Sequence, residues 1–358
     1  MITIKKKNTS TIFDSVVQSG QKAAAIQKIE HSEDKLLERL AGLFGSGFTQ
    51  RMDGLANNSV DVFDLKHITL NEIFGGGLPK GCIVEIFGKE GTGKTTLCLQ
   101  ILASILHSDP SLKSYYINAE SVINYKFFRY MLGETASRCY IGQFAEAEKV
   151  MDLILELACD KKVNVIVLDS IAGLFTKSSL ENSLGDSSIA SLARVLSGAL
   201  SPISKVLADN GVTLILTNQL RNKISTFGAF GNPEQTCGGN AIRFFSSVRL
   251  ELTRIGMNTK DDEIISAKIR FKAVKQRFAL PFQERVLDLN FGKGFEPVSD
   301  LVNIAIEQSI IQKNGSWFGF ESQNLCQGKE NLIILLKENT QLQDKIYELV
   351  MSKLCLQK

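Results

Sequence analysis

Eight residues constrain this chain more than any other stretch: Gly88-Lys89-Glu90-Gly91-Thr92-Gly93-Lys94-Thr95. They satisfy the pattern glycine, four free positions, glycine, lysine, serine or threonine, with which a backbone loop wraps a polyphosphate. The apolar run from Cys82 to Phe87 predicts a buried strand before the loop. The run from Thr96 to Leu106 predicts a largely buried helix after it. In that setting glycines let backbone N–H groups turn inward on the phosphates, and the helix N-terminus adds its positive end. Lys94 is then placed for the outer phosphates and the Thr95 hydroxyl for Mg²⁺. A chance glycine turn is the bland alternative, and it does not account for both flanks.

The rest of the composition narrows the class. A chain of 358 residues has room for one large domain and a smaller one, and 44% hydrophobic with 22% charged residues is a globular balance. A net charge of +3 selects no class of partner. The seven cysteines contain no C-x-x-C pair and several sit in apolar runs, which favours buried thiols in a reducing compartment over disulfides or a zinc site. None of the three histidines has metal-ligand spacing. No stretch reaches the roughly 18 unbroken apolar residues of a membrane span. The start, Met-Ile-Thr-Ile-Lys-Lys-Lys, lacks a secretory signal's apolar region, so a cytoplasmic protein without membrane contact is expected.

Residues 1–20 read as a loose polar tail. Residues 21–58 read as a helical arm and linker, with apolar positions at Ile26, Ile29, Leu36, Leu37, Leu40 and Leu43 and a stop at Gly45-Ser46-Gly47. That apolar stripe needs a cover, from its own core or from a neighbouring subunit. Across residues 59–297 strand and helix signals alternate, which predicts an α/β core with a mostly parallel twisted sheet and helices on both faces. Strands are predicted at Ser114–Asn118, Val163–Leu168 and Val212–Thr217, with helices at Val122–Leu132, Ala145–Ala158 and Ile189–Ala208 between them. Period-two runs at Ser247–Arg254 and Ser266–Val274, around the polar Asn258–Glu263, predict a hairpin. Residues 298–358 read as a small α+β domain, with two or three amphipathic helices around Gly315-Ser316-Trp317-Phe318.

Further candidates surround the phosphate loop. The strand ending Leu168-Asp169 places an acid where a nucleotide-binding sheet holds Mg²⁺. Glu120, after a strand, is placed to polarise an attacking water, unless it is a surface or capping glutamate. Gln219 ends another strand, where a side-chain amide can register the terminal phosphate. Two irregular segments, about 181–189 and 221–239, leave the same edge of the sheet with glycines and a few cations. They suit a phosphodiester backbone, with ordinary mobile surface loops as the alternative.

Runs spread along the chain resemble the bacterial RecA recombinase family from about Asp34 onward: Gly81 to Gly88, Val165 to Ser170, Leu184-Gly185-Asp186-Ser187, Asn218-Gln219-Leu220-Arg221, Gly231-Asn232-Pro233-Glu234 and Gly238-Gly239-Asn240-Ala241. The resemblance implies a RecA-type ATPase core that binds ATP and Mg²⁺. Gly88 to Thr95 with Thr96 would hold the nucleotide, Phe127 would stack on adenine, and Thr95 and Asp169 would hold the metal. Glu120 would be the catalytic carboxylate, Gln219 the γ-phosphate sensor, and Lys275 and Arg277 the cations that reach a neighbour's ATP. DNA would be met by Ile189, Arg194, Arg221, Lys223, Ile224, Gly238 and Gly239. Arg243, Phe244 and Arg249 would serve the subunit interface.

On this resemblance the chain forms ATP-bound filaments of itself on single-stranded DNA and pairs that strand with homologous duplex in recombinational repair and the SOS response to DNA damage. Repressor, loading and mediator proteins are the implied partners. The chain also departs from the family pattern. Asn118 and Asn124 stand where the family has Asp, Phe127 where it has Tyr, the second loop is about two residues longer, and the acidic tail is missing. These departures keep a second reading open, an ATP-dependent DNA-binding scaffold that does not exchange strands; a hexameric helicase is the third.

Overall fold

A strand whose residues are apolar on both faces must lie inside a sheet covered on both sides. Ile83-Val84-Glu85-Ile86-Phe87-Gly88 is such a strand, and in the computed structural model all six residues are buried. The structure describes residues 35–43, 45, 60–120, 122–181, 187–222, 234–260 and 262–355. It falls into two units, residues 1–59 and 60–358. In the first unit, helix α1 (35–43) exposes Leu36 and Leu43 and closes with the Gly45 N–H on the Ala41 carbonyl at 2.9 Å. The remainder of the predicted arm, 21–34 and 46–58, and the tail lie outside the described residues.

The second unit opens with β1 (Val62–Phe63), α2 (Ile68–Phe74) and β2 (Leu78–Pro79), the two strands pairing antiparallel. Next come β3 (Ile83–Gly88), α3 (Lys94–Ser108), β4 (Ser114–Asn118), α4 (Tyr125–Leu132), β5 (Cys139–Gln143), α5 (Ala147–Asp160) and β6 (Val165–Asp169). They are followed by α6 (Lys177–Glu181), α7 (Ser187–Asn210), β7 (Thr213–Asn222), β8 (Glu234–Thr236) and α8 (Asn240–Phe245). A meander of β9 (Val248–Lys260), β10 (Glu263–Gln276), β11 (Glu284–Asn290) and β12 (Gly294–Phe295) completes the region.

The central sheet runs β12-β11-β10-β9-β3-β7-β6-β4-β5, with β8 appended to β7. From β9 through β5 neighbouring strands are parallel, and from β9 to β12 they are antiparallel. Alternate residues feed two cores. Val84, Ile86, Val165 and Val167 pack with α3 and α4 on one face, while Ile83, Ile166 and Leu168 pack with α5 and α7 on the other. The expected sheet with helices on both faces is therefore present.

Differences in detail have physical causes. The hairpin expected to open into a polar loop at Asn258–Glu263 stays paired to Lys260↔Glu263, because backbone pairing tolerates polar side chains on an exposed ribbon. Strand β7 runs past Thr217 to Asn222, held by β8 through Leu220↔Thr236 and Arg221↔Gln235. The predicted first irregular segment, 181–189, is shortened by helices that end at Glu181 and begin at Ser187. Among the described residues no helix is long and apolar enough to cross a membrane. Cys82 and Cys98 are buried free thiols, and burial pushes the Cys82 thiol up to about 12.

The C-terminal region is built from α9 (Pro297–Glu307), β13 (Gln312–Asn314), β14 (Trp317–Phe320), β15 (Gln323–Gln327), α10 (Lys329–Glu338) and α11 (Thr340–Cys355). Its three strands form an antiparallel sheet. Its hydrophobic cluster, with Leu301, Val302, Phe318, Leu332 and Val350, also takes in Ile68 of α2. Beside it Asp300 is 3% exposed, and its carboxylate accepts the Thr69 N–H at 2.9 Å and the Thr69 hydroxyl at 2.6 Å. The His67 ring nitrogen Nδ1 also lies 2.9 Å from Asp300, without a hydrogen bond at either ring nitrogen.

Candidate functional site

Every parallel strand from β9 to β5 points its carboxyl end toward the same edge, where ligands bind in sheets of this kind. In register, Gly88 stands beside Gln219, and Asn118 beside Asp169. The phosphate loop leaves β3 at Gly88 and enters α3 through Gly93, at φ +83. A Cβ at Gly93 would sit 2.8 Å from the Leu289 side chain, so this left-handed turn admits only glycine without movement. Lys94 begins the helix and is buried. Its Nζ folds back to donate to the carbonyls of Gly88 at 3.1 Å and Lys89 at 2.8 Å, a posture in which the ammonium is held at the loop. Burial pulls the Lys94 pKa down, and the Asp169 and Glu120 carboxylates oppose that pull.

Thr95 Oγ1 donates to Asp169 Oδ2 at 2.6 Å. The sequence reading found this pair, but not what surrounds it. Tyr116 OH donates to the same oxygen at 2.5 Å, and Thr217 Oγ1 to the other at 2.5 Å. Three hydroxyls therefore orient one nearly buried carboxylate. Burial, then the Asp169 charge, raises the Tyr116 pKa well above its ordinary value, so its hydroxyl stays a donor. Tyr116 and Thr217 escape a sequence reading because both sit in runs that read as plain strand.

Glu120 follows β4 and is exposed. Its pKa is raised, first by loss of water around the carboxyl where it faces the site and then by Asp169, with Lys94 acting against the rise. Asn118 donates its amide to the Glu120 backbone carbonyl at 2.7 Å, a bond that an ionised aspartate could not supply. Asn124 caps α4, accepting the Phe127 N–H at 3.0 Å. Both asparagines thus have a local structural role. Phe127 is half-buried against the α3–α4 core.

The candidate DNA and interface residues lie farther along. Arg194 is exposed on α7. Gly238 and Gly239 pack on that helix, since Cβ atoms there would meet Leu196 at 2.8 Å and Ala193 at 3.0 Å. The end of the second loop and the helix after the first are thus brought side by side. Arg221 is exposed at the start of that second loop. Ile189 lies on α7, and Lys223 and Ile224 fall outside the described residues, as do 182–186 and 223–233 generally. Phe244 on α8 is 77% exposed, and Arg243 beside it is exposed too.

Arg249 turns inward instead, with Nε 2.5 Å from Glu85 and its guanidinium 4.7 Å from the Phe87 ring centroid. Lys275, paired with Arg249 across the strands, donates Nζ to the carbonyls of Arg243 at 2.7 Å and Phe244 at 2.9 Å. Arg277 reaches the Phe244 carbonyl at 3.5 Å. Both cations thus rest on the carboxyl end of α8, a location that suits positive charge. Burial lowers the Lys275 pKa, helped by Arg277 and Arg249.

The donor set fits a nucleotide with its magnesium. Thr95 and Asp169 supply hard oxygen ligands already in contact, of the kind Mg²⁺ takes alongside phosphate oxygens. Lys94 begins α3 with its ammonium held at the loop carbonyls, where phosphate oxygens would replace them.

Comparison with known proteins agrees. A family model described as the RecA N-terminal domain matches residues 31–296, and one described as the RecA C-terminal domain matches residues 299–355. The chain is 35% identical to Protein RecA of Campylobacter hominis over 314 residues, 87% of this chain and 89% of that protein. It is likewise 35% identical to Protein RecA of Thermus thermophilus over 322 residues, 89% of this chain and 93% of that protein. A phosphate-loop pattern, a buried carboxylate oriented by three hydroxyls and these matches across both regions lead to one assignment: the chain belongs to the RecA family.

Proposed function

We propose that this protein is a DNA-dependent ATPase that forms filaments on single-stranded DNA and pairs the bound strand with homologous duplex in recombinational repair. Family membership supports the recombinase and ATPase class. The observation that carries the reading to these residues is the Thr95–Asp169 contact at 2.6 Å, with Lys94, Glu120 and Gln219 on the same sheet edge. ATP would sit on Gly88 to Thr96 with Phe127 against the base. Mg²⁺, when bound, supplies charge neutralisation between the β- and γ-phosphates.

Lys94 holds the outer phosphates, Glu120 accepts the proton of the attacking water, and Gln219 donates its amide to the terminal phosphate. Lys275 and Arg277 are the cations offered to a neighbour's nucleotide, and the exposed Phe244 supports an interface on that face. Arg194, with the segments around 181–189 and 221–239, meets the DNA backbone.

The test is ATP turnover with and without single-stranded DNA, followed by strand exchange between a circular single strand and a homologous linear duplex. Strong stimulation by DNA, and joint molecules formed only with ATP, are expected. DNA-stimulated turnover without joint molecules would replace this reading by the scaffold that does not exchange strands. Turnover indifferent to DNA would overturn both.

A further inference from the structure

Glu85 is a fully buried carboxylate in a strand otherwise made of apolar residues and glycine. Such a charge is tolerated only where donors replace its water. Its Oε2 accepts from Arg249 Nε at 2.5 Å, and its Oε1 from Asn218 Nδ2 at 3.0 Å. Asn218 is itself fully buried and uses all four of its hydrogen-bonding positions. Its Nδ2 donates also to the Cys237 carbonyl at 2.9 Å. Its Oδ1 accepts the N–H of Gln219 at 2.9 Å and the N–H of Cys237 at 3.2 Å.

The direction of this amide follows from the carboxylate. An ionised carboxylate only accepts, so the NH₂ side of Asn218 must face Glu85, and its oxygen is left for Gln219 and Cys237. Cys237 immediately precedes Gly238-Gly239, and beyond the clamp β7 and β8 pair from Leu220↔Thr236 to Asn222↔Glu234. One buried amide therefore joins Gln219 on β7 to Cys237, the residue that follows β8.

We propose that Glu85 and Asn218 are positioning residues that couple the nucleotide to the second DNA-binding segment: Glu85 fixes the Asn218 amide, and that amide holds Gln219 and Cys237 in one register. A shift of Gln219 toward a terminal phosphate then moves the stem of the segment with it. The coupling is reciprocal, so DNA on the segment strengthens nucleotide binding by the same factor. The proposal rests on the ATP- and DNA-binding reading above.

The experiment measures the affinity of a labelled oligo-dT with and without a non-hydrolysable ATP analogue, in the full chain and in three variants. In Glu85→Gln an NH₂ group meets Asn218 or Arg249, donor against donor. In Asn218→Asp two carboxylates face each other. The double variant Glu85→Gln/Asn218→Asp restores one donor–acceptor contact between the two positions, in the reverse sense, and leaves the Cys237 carbonyl without its donor.

Each single variant should bind the analogue without DNA as the wild type does, yet lose about tenfold of the analogue's effect on DNA affinity, the usual scale for one mispaired buried hydrogen bond. The double variant should recover at most part of it, because the Cys237 carbonyl stays unpaired. Single variants with the wild-type effect overturn the clamp alone. A wild-type chain whose DNA affinity ignores the analogue overturns the functional reading and the clamp with it. If the single variants fail to fold, amide exchange on the wild type decides. The Gln219 and Cys237 N–H groups should slow together when the analogue binds, and a change at Gln219 that leaves Cys237 untouched overturns the proposal.

Discussion

Asp169 shows how a residue with an ordinary name acquires a single task. Three hydroxyls aim at it, and each fixes where its lone pairs are left for a cation. Replacing Thr217 by Val removes one of these donors while keeping the shape. We expect Mg²⁺-dependent nucleotide affinity to fall by about 10- to 100-fold, read by metal titration of analogue binding with the melting temperature as control. Glu120 is the sharper case. Glu120→Gln keeps size but cannot take a proton, so turnover should fall by about 100-fold or more while analogue-bound protein stays on DNA.

The pKa of Glu120 is raised, by loss of water around the carboxyl and by Asp169. As pH falls the base takes up its proton sooner than an ordinary glutamate, so the acid limb of the rate profile is shifted upward relative to one set by an ordinary glutamate. For stability the sign is opposite to that of a paired acid: the folded state holds this proton more tightly than the unfolded chain, which favours folding in acid. A Glu120→Gln profile that keeps the same acid limb at a wild-type rate would assign the base elsewhere. At this scale the Thr95–Asp169 pair beside Lys94 could be anticipated from the phosphate-loop pattern and an apolar strand ending in an acid, whereas the contacts of Tyr116, Thr217, Asn218 and Glu85 could not. Their roles arise from hydrogen bonds between strands far apart in sequence.

At the scale of elements, strands buried on both faces declared themselves: β3, β4 and β6 lie within two residues of their predicted ends. Segments whose pairing comes from a partner did not. β5 is a short edge strand with an exposed pattern, and the end of β7 is polar and extended only because β8 runs beside it. In the C-terminal region the helices could be read from their amphipathic spacing, while the three short strands fell in stretches without period-two alternation. The joint between α2 and α9 was not legible either, because Asp300 reads as one more acid in a first helical turn. Asp300→Ala would leave both the Thr69 N–H and its hydroxyl buried without a partner. A loss of about 2–4 kcal/mol is expected, visible as a fall in denaturant midpoint at unchanged slope. Asp300→Asn should lose less, since the amide oxygen can keep one of the two bonds.

For the whole molecule the two cations at the end of β10, Lys275 in the strand and Arg277 just past it, pose the question of where an active site ends. Within one chain Lys275 and Arg277 are already occupied, resting on the carbonyls of α8. If they serve a neighbour's nucleotide, a chain with Lys94→Ala and a chain with Lys275→Ala/Arg277→Ala should each be inactive alone. Mixed in one filament they should regain part of the ATP turnover, since some interfaces then join a sound loop to sound cations. Verified mixed filaments with no recovery, beside isolated wild-type chains that hydrolyse ATP at full rate, would confine the site to one subunit.

The joint at α2 bears on how such a chain could be taken apart. Ile68 packs among C-terminal side chains, and Thr69 hands both its polar groups to Asp300. A gene cut at residue 298 would therefore not yield a clean upstream module. It would leave an uncovered isoleucine and two unmet donors on its surface, a sticky scar in water. The same contacts act as a permanent clasp after a single cleavage of the backbone between the two regions, so the nicked halves would stay together as one particle. Shuffling of this C-terminal piece between relatives would have to carry α2 along, and the unit of exchange is a pair of segments more than two hundred residues apart.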